Sequence, residues 1–169
     1  MEITLKIVAR GELLVPATDG IKARIIAGKY DSVDRTIEKV FSGTDVPCDY
    51  SASYKIFHFD HKLFYDASSE HSYPFAKALE GYKQIASKHG DHLGTIEELL
   101  TLGAAEPELQ KRIPIIGLGS VWTHPDGHDF GPAISSSKGK RVLWLMKGPF
   151  HLNDDYSFLV VGPENPVEV

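Results

Sequence analysis

Cysteine is almost missing from this chain: Cys48 stands alone among 169 residues. A single thiol excludes an intrachain disulfide and favours a reducing compartment. Cys48, set between Pro47 and Asp49, reads as a partly buried thiol with no chemical role. No apolar run approaches the ~18–20 residues that cross a bilayer. The opening Met1-Glu2-Ile3-Thr4-Leu5-Lys6 alternates where a secretory leader is continuously apolar. These features predict a cytoplasmic or virion protein with neither signal peptide nor membrane span. An excess of one charge is also lacking: 18 Lys and Arg against 23 Asp and Glu give a net −5, without a block of like sign. There is thus no basic stripe for a nucleic acid and no acidic run of a DNA mimic.

What is present alternates between strand and helix patterns. Ile3, Leu5 and Ile7 alternate with polar residues, and Leu13–Val15 continues that strand. Pro16-Ala17-Thr18-Asp19-Gly20 is a turn sequence, and Ile21, Ala23 and Ile25 alternate after it, predicting a hairpin-like pair. Val33, Ile37, Val40 and Phe41 share a helical face behind the candidate caps Asp31 and Ser32, with Gly43 as the stop. Residues 45–53 read as a loop and 54–65 as a long strand. The polar stretch Asp66–Glu70 suggests a boundary between a strand-rich region 1–66 and an α+β region 67–169, unless the whole is one continuous domain.

Ser72 and Pro74 then open a helix whose stripe is Phe75, Leu79, Tyr82 and Ala86, closed by Gly90. Thr95-Ile96-Glu97-Glu98 matches a capping box, and Gly103 is the expected end of that helix. Residues 107–111 suit one more turn. Residues 113–122 read as a glycine-interrupted strand, 123–140 as a polar loop, and Val142–Met146 and Phe158–Val161 as strands buried on both faces. The fold class predicted is α+β: a strand-rich amino-terminal part, then helix, helix and antiparallel sheet.

Eight histidines fall partly into three local groups. His58-Phe59-Asp60-His61 places His58 and Asp60 on one strand face, with His61 on the other. His89-Gly90-Asp91-His92 spans a helix end. His124-Pro125-Asp126-Gly127-His128-Asp129 is the densest and lies in the predicted loop. Zinc accepts such ligands, yet no strong spacing signature is present. Gly119-Ser120 lacks the Gly-x-Ser-x-Gly elbow, and Gly117-Leu118-Gly119 lacks the third glycine of a dinucleotide fingerprint. Trp122-Thr123-His124-Pro125 with Ser135-Ser136-Ser137 lacks two ligands of the metal-dependent deubiquitinase pattern. Ser135 to Lys140 reads as a solvated mobile loop, Trp144 as core, and Trp122 as a stacking surface beside the polar loop.

The helix Phe75–Lys88, the run His92-Leu93-Gly94-Thr95-Ile96-Glu97-Glu98-Leu99, and the three later strands resemble, over residues 72–162, the C-type-lectin-like fold in its disulfide-free phage or bacterial form. The lectin cysteines and the calcium-binding triplet are absent, and Pro163-Glu164-Asn165 does not replace it. The resemblance implies ligand contacts on late loops.

The predicted function is therefore non-enzymatic binding, leaning away from an enzyme. Trp122, His124, Asp126, His128, Asp154, Asp155 and Tyr156 are the ligand-facing residues. The partner expected is a protein, glycan or small molecule, with no nucleic acid or membrane and with room for an oligomer. No cofactor is favoured. A divalent metal held by His124, His128 and Asp126 or Asp129, completed by His58 or Asp60, defines the alternative, a hydrolase whose metal-bound water is the nucleophile. A structural or assembly protein of viral type is a third reading.

Overall fold

The computed structural model describes residues 5–18, 20–42, 45–58, 75–88, 90–147, 156–163 and 165–166. The predicted boundary at 66–70, the helix opening at Ser72 and Pro74, and Gly43 lie outside these residues. The class is α+β. Strands β1 (Ile7–Val15), β2 (Ser32–Val33), β3 (Tyr50–His58), β4 (His92–Leu93), β5 (Ile115–Ile116), β6 (Trp122–Thr123), β7 (Asp129–Ser137), β8 (Lys140–Lys147), β9 (Ser157–Val161) and β10 (Asn165–Pro166) form one mixed sheet. Its main order is β1-β3-β9-β5-β7-β8-β2, with β10 beside β3, β4 beside β9 and β6 beside β7. Strands from before residue 66 bond directly to strands from after it, β3 to β9 and β2 to β8.

Helices cover both faces, which is why the central strands are apolar without alternation. On one face α1 (Lys22–Gly28), α2 (Arg35–Val40), α4 (Ile96–Ala105) and α5 (Leu109–Arg112) accompany a core that includes Ile37, Leu99, Leu102 and Leu109 with Tyr54, Ile56, Leu159 and Val161. On the other, Tyr82 and Ala86 of α3 (Phe75–Ser87) pack with Phe158, Val160, Ile116 and Met146. The run Phe158–Val161 thus divides its side chains between two cores, as its unbroken hydrophobicity predicts.

Several local expectations are corrected. Of residues 21–25, Lys22 onward is helical and Ile21 is the cap. Their two-residue alternation hides a second period: Ile21, Arg24, Ile25 and Gly28 fall at helical spacing, and Ile21, Arg24 and Gly28 are buried. The Arg24 guanidinium donates to Thr101 Oγ1 at 2.8 Å and to the Pro16 carbonyl, fastening α1 to α4 and to the end of β1. Helix α2 is capped by Asp34, whose carboxylate accepts from the Thr36 N–H at 2.9 Å, because Ser32 and Val33 are taken by parallel pairing to β8. Strand β3 begins at Tyr50, inside the stretch read as loop, and residues 59–65 lie outside the described region. Cys48 is exposed.

Gly103 does not stop α4, which runs to Ala105. A Cβ there would lie 2.2 Å from the Tyr30 hydroxyl, so the glycine serves packing. Residues 113–122 break into β5 and β6 around a turn at 117–120, where the Gly119 N–H donates to the Gly94 carbonyl at 2.9 Å. Most of the predicted loop 123–140 is strand. Ser135 is buried and accepts from Trp144 Nε1 at 3.0 Å, so a polar residue sits in the sheet with its hydroxyl engaged. Lys138 (φ 51°) and Gly139 (φ 77°) form the two-residue left-handed loop that joins β7 to β8.

Candidate functional site

The densest motif, His124 to Asp129, forms the tip of the β6–β7 hairpin. The His124 N–H donates to the His128 carbonyl at 2.8 Å and the Gly127 N–H to the His124 carbonyl at 2.8 Å. Gly127 has φ 89°. Proline, aspartate and a left-handed glycine in that order are the residues a three-residue hairpin loop requires. Local backbone chemistry therefore accounts for Pro125-Asp126-Gly127 and leaves the two histidines as additions to it. A Cβ at Gly127 would meet nothing within 4 Å. Gly127→Ala is expected to lower stability by about 1 kcal/mol through the backbone alone, read as a shift in the urea midpoint with an unchanged slope.

Around the tip, side chains gather in two layers. Trp122 and Phe130 are directly opposed across the hairpin, with ring centroids 5.5 Å apart. The His124 ring stands edge-on to Trp122 at 5.3 Å and lies 6.2 Å from Phe130. Beside this aromatic group, Asp126 Oδ1 lies 2.9 Å from Nδ1 of both His124 and His128. The His128 Nδ1 approach is off the line of a hydrogen bond, and Asp126 Oδ1 is instead engaged by the His128 backbone N–H at 3.0 Å. The Asp126 N–H also donates to His124 Nδ1 at 3.2 Å. The backbone N–H of His128, donating to Asp126 Oδ1, is the main cause that holds the Asp126 carboxyl well below the usual carboxylate range. The result is a carboxylate fixed in the ionised state next to an aromatic surface.

The sequence-predicted residues divide accordingly. Trp122, His124, Asp126, His128 and Asp129 come together on this hairpin, joined by Phe130, which the sequence reading did not single out. Asp129 Oδ1 accepts from Thr123 Oγ1 at 2.6 Å. Tyr156 is elsewhere in the packing: Trp122 rests against the α4-side core, whereas Tyr156 rests against the α3-side core. His58 ends β3 opposite Ser157. Asp60, Asp154 and Asp155 lie outside the described residues. For the alternative metal set, the space between the two imidazoles holds the Asp126 oxygen. Among the described residues no three His, Cys, Asp or Glu side chains are grouped as metal ligands.

A second polar cluster, which no local sequence pattern assembles as a whole, surrounds Glu98. Glu98 is fully buried and receives Tyr50 Oη at 3.0 Å, the Thr95 N–H at 2.8 Å, and His92 Nε2 at 2.9 and 3.1 Å. Burial pushes its carboxyl up, but the bonds from His92, Thr95 and Tyr50 outweigh that, and the net shift is downward. Next to His92 in sequence, Asp91 pairs with Lys55 Nζ at 2.8 Å. The capping box is visible in Thr95 to Glu98, and Lys55 is visible as the charge interrupting an apolar strand. Tyr50 is 48 residues from Glu98, and no local pattern connects them.

No helix among the described residues is long and apolar enough to cross a membrane. Compared with known proteins, the chain matches no family model, no curated protein and no solved structure.

Proposed function

We propose that this chain is a non-enzymatic binding module whose recognition surface is the tip of the β6–β7 hairpin. The observation supporting this is the side-by-side placement of the Trp122, His124 and Phe130 rings and the ionised Asp126 carboxylate on a turn fixed by its own backbone bonds. An apolar ring face next to a fixed acceptor suits a ligand that presents hydrogen-bond donors beside a flat apolar patch, as sugars and peptide segments do. On the lectin-like reading of residues 72–162, this hairpin stands among the late ligand-contacting loops. The cytoplasmic or virion setting belongs to the same proposal and rests on the lone thiol.

The test is a glycan array and a peptide array probed with the purified chain, followed by calorimetry on the strongest hit. Trp122→Ala and Asp126→Asn are each expected to weaken that hit at least about tenfold, or about 1.4 kcal/mol. A hit indifferent to both substitutions defeats the proposal. Stoichiometric zinc or manganese in the purified protein, together with thermal stabilisation by the added ion, favours the hydrolase instead.

A further inference from the structure

Among the described residues, strand β1 is one of the two edges of the sheet. Among the described residues it pairs with β3 on one side and with no strand on the other. It is nine residues long and contains neither proline nor lysine, two of the devices that blunt an exposed edge, although it carries one charge of each sign and an irregularity between Ile7 and Ala9. Of the exposed large hydrophobic residues, two lie on it, Ile7 (43% exposed) and Leu14 (58%). Between them sit Arg10 and Glu12, both exposed and, among the described residues, without an ion-pair partner.

These observations fit one occupant. We infer that two copies of this chain associate through their β1 edges, antiparallel and centred on Gly11, so that the sheet continues across a two-fold axis. A two-fold axis normal to a sheet keeps equivalent side chains on the same face, so the register must be centred on a residue. Centring on Gly11 places Arg10 opposite Glu12 of the second copy, twice. Centring one residue earlier opposes Arg10 to Arg10, and one residue later opposes Glu12 to Glu12. Charge therefore selects one register and penalises both neighbours. Ala9 comes opposite Leu13, and Leu14 reaches the other copy's Ile7–Val8 end, where the irregularity between Ile7 and Ala9 closes the ladder. Gly11 suits the crossing point: Tyr54 already occupies the space where its Cβ would be, 2.8 Å from the ring.

Analytical ultracentrifugation of the intact chain, from about 1 to about 500 µM, tests this. An edge contact of this size should give a dimer in the micromolar range that weakens as salt rises. Arg10→Glu and Glu12→Arg alone should each raise the dimer Kd at least about tenfold. The double reversal Arg10→Glu with Glu12→Arg restores the pairing and should return Kd to within about threefold of the original. Both positions are exposed, and near-UV circular dichroism checks that each variant is folded. A monomer throughout the range overturns the inference, as does a dimer indifferent to single reversals or one that the double reversal does not rescue. A monomer whose β1 amides are all protected from hydrogen exchange also overturns it, since the chain then covers its own edge.

Discussion

Replacing Arg141 by methionine should lower the unfolding free energy by about 3–5 kcal/mol, a large cost for a single substitution. Arg141 is the second residue of β8 and is buried. Its Nη1 donates to the Gly28 carbonyl at 2.6 Å, and its Nη2 donates to the Gly103 carbonyl and to Gln110 Oε1, the latter at 2.9 Å. Gly28 and Gly103 lie in the last turns of α1 and α4, where carbonyls lack intrahelical partners and carry the negative end of the helix dipole. One guanidinium therefore terminates two helices and, through Gln110, holds α5 to the Ser135 carbonyl at 2.8 Å. It also lies over the Tyr30 ring, 5.0 Å from the centroid. Burial moves the Tyr30 phenol up to about 12, with the Arg141 charge opposing that shift, so this ring stays neutral through the physiological range. Methionine fills similar volume but leaves those acceptors buried without donors. Arg141→Lys keeps the charge without the planar fork and should recover only part of the loss. Urea denaturation measures both, and a cost below about 1 kcal/mol for methionine would show that water replaces the guanidinium.

The second large effect is expected at Glu98. Glu98→Ala removes the acceptor shared by Tyr50, Thr95 and His92 and empties a packed position, for an expected loss of about 3–4 kcal/mol. Its pH dependence has a definite sign. The folded-state carboxyl titrates below its ordinary value of 4.5, so the folded form binds fewer protons than the unfolded one as the pH falls. The stabilisation is fully present above about pH 4.5 and is lost as the pH drops through the lower folded value. The gap between wild-type protein and Glu98→Gln should accordingly narrow on acidification below that point. Equilibrium unfolding at a series of pH values reads it directly. A gap that stays constant down to pH 2 would mean that shape, not charge, is what Glu98 contributes.

How much of this was legible in the sequence follows from the range of the forces involved. The capping box at Thr95 and the strand at Phe158–Val161 were readable because their causes lie within a few residues. Residues 21–25 satisfy both a two-residue and a helical period, so their pattern alone does not separate strand from helix. What decides between them is Arg24 reaching Thr101, a contact across 77 positions. The triple serine resembles loop by hydropathy alone, which cannot register that Trp144 supplies Ser135 with a donor. At the candidate site, the hairpin chemistry was written in Pro125-Asp126-Gly127. The participation of Phe130 is hidden by the polar, loop-like composition of β7, since only a strand there sets Phe130 across from Trp122. The Tyr50–Glu98 contact had no local trace at all.

The position of β9 also bears on how the polypeptide is made. Ser157–Val161 is among the last described segments in order of synthesis, yet it lies in the middle of the sheet, bonded to β3 on one side and β5 on the other. A ribosome that has just passed residue 155 has yet to deliver the piece that joins the two parts of the sheet. Until it does, both partners present open, apolar edges. Closure then joins segments about a hundred positions apart, which places folding among the slower topologies. Chaperone capture of the nascent chain should therefore be strongest just before this segment emerges.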